Sequence, residues 1–226
     1  MIERIKELIP LFKETFPQLL EKGLTVTLPL TAIAFSLGLV IAIITALVQY
    51  ANIKGLRQIA RVYIWVIRGT PLLVQLYVLF YALPQIGIVL DPFPTAIIAL
   101  SLNEGAYCAE TMRAALEAVP YGQIEAGYCV GLSYLQIIFR IVLPQALRTA
   151  FPPLSNSLIS MVKDTSLVAS ITVAEMLNAA KRIMSRKHET LALYIEVAII
   201  YLLFCTVLTF LQRWGERKLN SRGFNK

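Results

Sequence analysis

Long runs without a charged side chain alternate with short polar stretches along this chain. Residues 24–48 hold no charge over 25 positions, more than the ~20 residues with which an α-helix crosses a bilayer core of about 30 Å. Residues 62–83 carry one charge, Arg68, and residues 190–211 carry one, Glu196. Residues 92–112 contain Glu104 and Glu110, with Asp91 just outside. A fifth run, from about 146 to the high 160s, contains Pro152, Pro153, Lys163 and Asp164. Proline is tolerated in a membrane helix where neighbouring helices or a water-filled cavity satisfy the freed backbone groups. The pattern predicts an all-α integral membrane protein, one transmembrane domain over residues 1–226, with spans at about 24–48, 60–83, 92–118, 146–168 and 190–212.

Ahead of the first span, Ile2, Ile5, Leu8, Ile9, Phe12, Phe16 and Leu19 recur at helical spacing, with Glu3, Lys6, Glu7, Lys13 and Glu14 between them. Residues 2–20 therefore read as an amphipathic helix lying along the membrane surface, bent at Pro10 and Pro17, that orients the first span. Residues 120–144 form a polar island between apolar segments and read as a loop.

Composition sharpens the class. Apolar residues make up 57% of the chain and the mean hydropathy is +0.67, above a soluble domain. The net charge of +7 is scattered among the spans, which argues against nucleic acid and makes the charge a topology signal. With the amino terminus outside, the cytosolic parts hold 11 Lys or Arg and the outer parts 8. Lys181, Arg182, Arg186 and Lys187 weaken the bias, whereas Lys54, Arg57 and Arg61 face a basic-free loop near Asp91 across the second span. The carboxy-terminal Arg213, Arg217, Lys218, Arg222 and Lys226 fit a cytosolic flank. Cys108, Cys129 and Cys205 suit neither a disulfide framework nor a metal site. The acidic and basic residues among the first 22 argue against a cleavable signal peptide, and the lone His188 has no partner at catalytic spacing.

Ionisable groups inside a bilayer cost at least about 2.5–3.5 kcal/mol each, so those at depth mark candidate chemistry. Asn103, Tyr107 and Glu110 stand at i, i+4 and i+7 and share one helical face, offering an amide, a phenol and a carboxylate. Glu104 lies about 100° round the helix, at the edge of that face. Gly105 and Ala106 admit a close helix neighbour. Alternatively, Glu104 and Glu110 pair with Arg68 or Lys163 to hold helices together. Arg68 precedes Gly69-Thr70-Pro71, where proline disturbs the helix. Its guanidinium can take a carboxylate bidentately, or else snorkel to the cytosolic interface. In the fourth span Asn156, Ser160 and Lys163 share a face, Lys163 and Asp164 point to different partners, and Pro152-Pro153 kinks the start of the span.

Glu125-Ala126-Gly127, Gly131, Ile141, Leu143 and Pro144 resemble the docking loop of ABC importer permeases. Arg-Gly-Thr-Pro-Leu-Leu-Val-Gln at 68–75, Asn-Glu-Gly-Ala-Tyr at 103–107, Leu-Pro-Gln-Ala at 143–146 and Lys-Asp-Thr-Ser-Leu at 163–167 are similar to the polar amino acid permeases of that family. The likeness covers about residues 15–220. It implies the type I importer permease fold: five core spans, an amino-terminal amphipathic segment and a cytosolic coupling helix. It also implies a bacterial inner membrane location, with the amino terminus outside and the carboxy terminus cytosolic.

The resemblance further implies partners: a second permease, either the same chain or a paralogue, a dimer of ABC ATPase subunits and an extracytoplasmic amino acid binding protein. The chain has no phosphate-binding loop. It is therefore expected to bind no cofactor, ATP and Mg belonging to the ATPase, and to be no enzyme. Closure of the ATPases would pull on Glu125, Ala126, Gly127 and Gly131 and swing spans three and four outward. Glu125 is the first candidate for the coupling contact, with helix capping as the alternative. Gly127, where the motif often has alanine, would loosen the helix. The candidate substrate contacts are Arg68, Asn103, Glu104, Tyr107, Glu110, Met161, Lys163 and Asp164. More than one spare carboxylate points to arginine, lysine or histidine as the substrate. Glutamine or glutamate is the alternative within the family. A proton-coupled secondary transporter is the rival outside it, and would show internal repeats and more spans.

Overall fold

A computed structural model describes the backbone of residues 2–221 and the side chains of residues 9–219. The side chains of Ile2, Ile5 and Leu8, with the acidic and basic residues among them, and also Arg222 and Lys226, lie outside the described residues. Every regular element in the described residues is helical. The α-helices are α1 (Ile2–Lys22), α2 (Leu28–Tyr50), α3 (Leu56–Gly69), α4 (Leu72–Tyr77) and α5 (Pro92–Glu117). They continue with α6 (Tyr121–Cys129), α7 (Tyr134–Ile137), α8 (Leu143–Asp164), α9 (Met176–Lys187) and α10 (Thr190–Ser221). Wide π turns at Gly23–Thr27 and Ile138–Val142 join α1 to α2 and α7 to α8.

Two of the resulting helices are each long and apolar enough to cross a membrane, Ile9–Tyr50 and Thr190–Leu219. Two more spans qualify if each bent pair counts as one, Leu56–Gly69 with Leu72–Ile86 and Tyr134–Ile171 with Met176–Lys187. The expected third span, α5, is 26 residues long, or about 39 Å at 1.5 Å per residue. Its polar positions, Asn103, Glu104 and Glu110 among them, keep it less apolar than the others. The second span is broken where expected. Thr70 is extended, with φ −123° and ψ 143°, because the ring of Pro71 excludes the helical conformation from the residue before it. In the fourth, α8 runs through Pro152 and Pro153 as one helix.

The chain divides into two compact units, one of Met1–Ala34, Leu72–Leu100 and Ile159–Leu208, the other of Phe35–Pro71, Ser101–Leu158 and Thr209–Lys226. The first unit corrects the reading of residues 2–20. α1 does not end before the first span, and its apolar face is turned into a core with α9 and α10: Leu19, Met176 and Leu193 are fully buried there, with Phe16 and Leu20 against them. The stripe at Phe16, Leu19 and Leu20 thus serves helix packing, whereas Ile9 on the same segment is exposed. α1 and α10 approach closely at Gly23, where a Cβ would stand 2.7 Å from the Phe204 ring. Higher up the pair, the Thr15 hydroxyl donates to the buried carboxylate of Glu196 at 2.7 Å. Glu175, also fully buried, caps α9 by accepting from the backbone N–H groups of Leu177 and Asn178 at 2.8 and 2.7 Å, and the Tyr201 hydroxyl donates to it at 3.1 Å.

In the second unit α2, α3 and α5 share a core of Ala42, Ile64, Ala106, Cys108 and Ala109. Glycines bring the helices together, as the sequence led one to expect of Gly105. A Cβ on Gly105 would lie 2.8 Å from both Ile41 and the Tyr63 hydroxyl, and one on Gly38 would lie 3.2 Å from Glu104 Cβ. The Tyr63 hydroxyl donates to the Leu102 carbonyl at 2.6 Å, tying α3 to α5.

Candidate functional site

The second unit presents two groups of interest, one along α3 and α5 and one around α6. Arg68 stands in the last turn of α3. Its guanidinium carbon lies 5.2 Å from the centroid of the Tyr107 ring on α5, within range of a cation–π contact. Both side chains are exposed, and Arg68 has no salt-bridge partner among the described residues. Half-buried Asn103 and Glu110 lie one turn to either side of Tyr107. The i, i+4, i+7 face is therefore open, with Arg68 over its middle.

Glu110 is engaged by a residue that the sequence reading passes over. Arg113 contacts Glu110 Oε1 through Nε at 3.1 Å and also through Nη2, and its Nη1 reaches Glu117 Oε2 at 2.5 Å. One guanidinium thus bridges two carboxylates at i−3 and i+4 on α5. The signal was available in the spacing of Glu110, Arg113 and Glu117, which is that of intrahelical pairs. Glu104 takes a different place: it is 7% exposed, packs against α2 at Gly38 and accepts from Cys108 Sγ at 3.0 Å.

Met161, Lys163 and Asp164 belong to the first unit. Met161 is 1% exposed and part of its interior. Lys163 is exposed and Asp164 half-buried, so the two do point differently. A 3₁₀ segment, Thr165–Ile171, follows them, held by a hydrogen bond from the Tyr81 hydroxyl to the Ser170 carbonyl at 2.9 Å. Glu196, the lone charge of the last span, and Glu175, which no apolar run marks, are buried acids of this unit. Among the described residues no cluster of His, Cys, Asp and Glu could hold a metal ion.

The docking segment is a short helix with defined ends. α6 terminates in a Schellman arrangement: Gly131, at φ +78°, donates to the Tyr128 carbonyl at 2.9 Å while Leu132 donates to that of Gly127 at 3.0 Å. The positive φ suits glycine, which lacks the Cβ that strains this conformation. Two residues later Ser133 and Gln136 form a capping box that starts α7, satisfying reciprocal backbone donors. Gly127 is buried, and a Cβ there would stand 2.9 Å from Ile137 Cγ1 and 3.1 Å from Ile141 Cδ1. Glycine at 127 thus serves packing of α6 on the next helix, a role that the propensity argument does not include. Glu125 is the fifth residue of α6, not its start, so it does not cap the helix. With Ala126 it is exposed beside Tyr121, Tyr128 and Val130.

Residues 38–221 match the family model described as binding-protein-dependent transport system inner membrane component. The chain belongs to this family. Its members are membrane subunits of transport systems rather than enzymes. The L-cystine transport system permease protein TcyB of Bacillus subtilis is 46% identical over 211 residues, covering 93% of this chain and 90% of that protein. The arginine transport system permease protein ArtQ of the same organism is 33% identical, covering 93% and 97%. A crystal structure of an amino acid ABC transporter with histidines superposes with a TM-score of 0.87 at 34% identity, over 92% of this chain and 97% of that one. The fold is that of ABC importer permeases.

Proposed function

We propose that the chain is the permease subunit of an ATP-driven importer of polar amino acids, and that Arg68, positioned over Tyr107, receives the substrate's α-carboxylate. The observation that carries this reading is an exposed guanidinium, stacked on an aromatic ring and without a salt-bridge partner among the described residues. A carboxylate is the natural partner of such a fork. Asn103 and Glu110 flank it for the ammonium group and side chain; Glu104 and, in the first unit, Met161, Lys163 and Asp164 are further candidate substrate contacts. The amino terminus is outside, and the chain works with a second permease, two ATPase subunits that hold ATP and Mg, and an extracytoplasmic binding protein. The exposed Glu125, Ala126, Tyr121 and Tyr128 form the face on which the ATPase docks, with buried Gly127 seating that face on α7.

For the side chain of the substrate, L-cystine is preferred. The argument for a basic amino acid rests on a spare carboxylate, and Glu110 is already engaged by Arg113. TcyB, at 46% identity, is named for L-cystine. A basic amino acid is the second reading, supported by ArtQ and by the half-exposed Glu110. The deciding experiment is uptake of labelled L-cystine and L-arginine by proteoliposomes holding this chain, its ATPase and its binding protein, with and without ATP. ATP-dependent uptake of L-cystine that excess L-arginine does not reduce supports the preferred reading. Uptake blocked by arginine, lysine and histidine supports the second. Uptake without ATP overturns the importer reading.

A further inference from the structure

Below the Arg68–Tyr107 pair the two antiparallel helices continue a charged ladder toward the ends of α2 and α5. There a cavity of about 370 Å³ is lined by Gln49, Arg57, Arg61, Glu110, Arg113 and Glu117, with Trp65 as one wall. Its volume lies in the range of small-molecule sites, about 300–1,000 Å³. Three guanidinium groups face two carboxylates, leaving one positive charge in excess. Arg113 is committed to both acids. Arg57 donates only to the neutral side-chain oxygen of Asn52 among the bonds described. Arg61, one turn further along α3, has no salt-bridge partner among the described residues. An independent sign comes from α2: the side-chain nitrogen of Gln49 is buried and has no acceptor among the described residues, a donor left without the partner that buried polar groups normally find.

We propose that this cavity is a second amino acid site. The α-carboxylate of the released substrate is held by Arg57 and Arg61 with the Gln49 amide, its ammonium group by Glu117, and amino acid accumulated in the cytosol occupies it and slows further import. The proposal rests on the importer reading and its topology, which places the ends of α2 and α5 at the cytosolic side. The carboxylate meets the uncommitted guanidinium groups and the open Gln49 donor, and the zwitterion as a whole leaves the net charge of the cavity unchanged. Glu117 gives Oε2 to Arg113, and its half-exposed side chain leaves Oε1, which takes no bond among those described, for the incoming ammonium. The site lies on the same pair of helices as Arg68, so an amino acid leaving that position meets it before bulk solvent.

The test uses proteoliposomes of the complete transporter, with binding protein and labelled L-cystine outside and ATP in the lumen, which stands for the cytosol. L-Arginine replaces L-cystine if arginine is the amino acid taken up. The lumen is preloaded with increasing unlabelled amino acid and the initial rate is read. Wild-type uptake is expected to fall as luminal amino acid rises. R61Q is expected to keep its empty-lumen rate within about twofold and to need at least tenfold more luminal amino acid for the same inhibition, with R57Q shifted in the same direction. Inhibition unchanged in R61Q, or no luminal inhibition of the wild type, overturns the site. Loss of empty-lumen uptake in R61Q overturns it as well, since it would place Arg61 on the obligatory path. Failure of the importer reading looks different: wild-type vesicles would then show no ATP-dependent uptake at any luminal concentration.

Discussion

Arg68 combines two constraints that a substrate contact needs: a charge left open and an aromatic ring that fixes where the charge sits. Removing the charge while keeping the side chain's polarity should therefore weaken binding without unfolding the protein. R68Q is expected to raise the KM for ATP-dependent uptake about tenfold or more, in keeping with the ~1.5–3 kcal/mol of a hydrogen bond to a charged group. R68K should recover only part of this, because an ammonium lacks the planar fork. Initial-rate uptake in proteoliposomes measures both. Glu110 gives the complementary case: E110Q should reduce uptake of arginine more than of glutamine if a basic side chain is read there. Equal effects on the two would remove charge matching at this position. Arg68, Tyr107 and Glu110 were legible because charge and polarity at membrane depth are costly. The engagement of Glu110 by Arg113 was legible in principle from i, i+3 spacing but not from a comparison of charges on different spans. Glu175 was not marked by pattern, and Glu196, visible as the lone charge of its span, gave no sign of its partner Thr15 far away in sequence.

At the level of elements, Gly127, Gly131 and the Ser133–Gln136 box set how α6 packs on α7. G127A would force a methyl group to within 2.9 Å of Ile137. Overpacking of this kind costs about 1–3 kcal/mol. The expected result is a several-fold loss of ATPase subunit recovered with the affinity-purified permease. I137A in the same chain should restore part of it, the double variant losing less than the sum of the two single losses. A change in hairpin propensity alone would give additive losses. Sequence identified the segment and its glycines, and it located the break at Pro71 from proline chemistry. It did not show that Gly127 faces Ile137, ten positions on, because that contact depends on how the chain turns at Gly131. The proline pair at Pro152 and Pro153 lies within a span expected to be continuous, and α8 is one helix there; removing two donors does not dictate whether the surrounding packing keeps a helix going.

For the whole molecule, the apolar runs located the helices well, while their continuity emerged only in three dimensions. The two-unit division falls in a linker at Pro71–Leu72 but otherwise cuts α2, α5, α8 and α10, so composition announces only one of its five boundaries. The topology can be read with a residue already in place. Cys129 is exposed in α6, whereas Cys108 is buried and Cys205 partly so. A membrane-impermeant maleimide should label Cys129 in inside-out vesicles and leave it unlabelled in right-side-out vesicles. The reverse pattern would invert the assigned orientation. Bound ATPase should protect the thiol if α6 is the docking face.

The bond between Thr15 and Glu196 spans 181 positions of chain. At translation rates of about 5–20 residues per second, the first helix waits roughly 10–40 s after synthesis before its partner exists. During that interval the apolar stripe of Phe16, Leu19 and Leu20 has neither α9 nor α10 to cover it. A chain truncated before residue 190 would never cover it with α10, and would present to the cell's proteolytic surveillance a surface that the finished subunit hides.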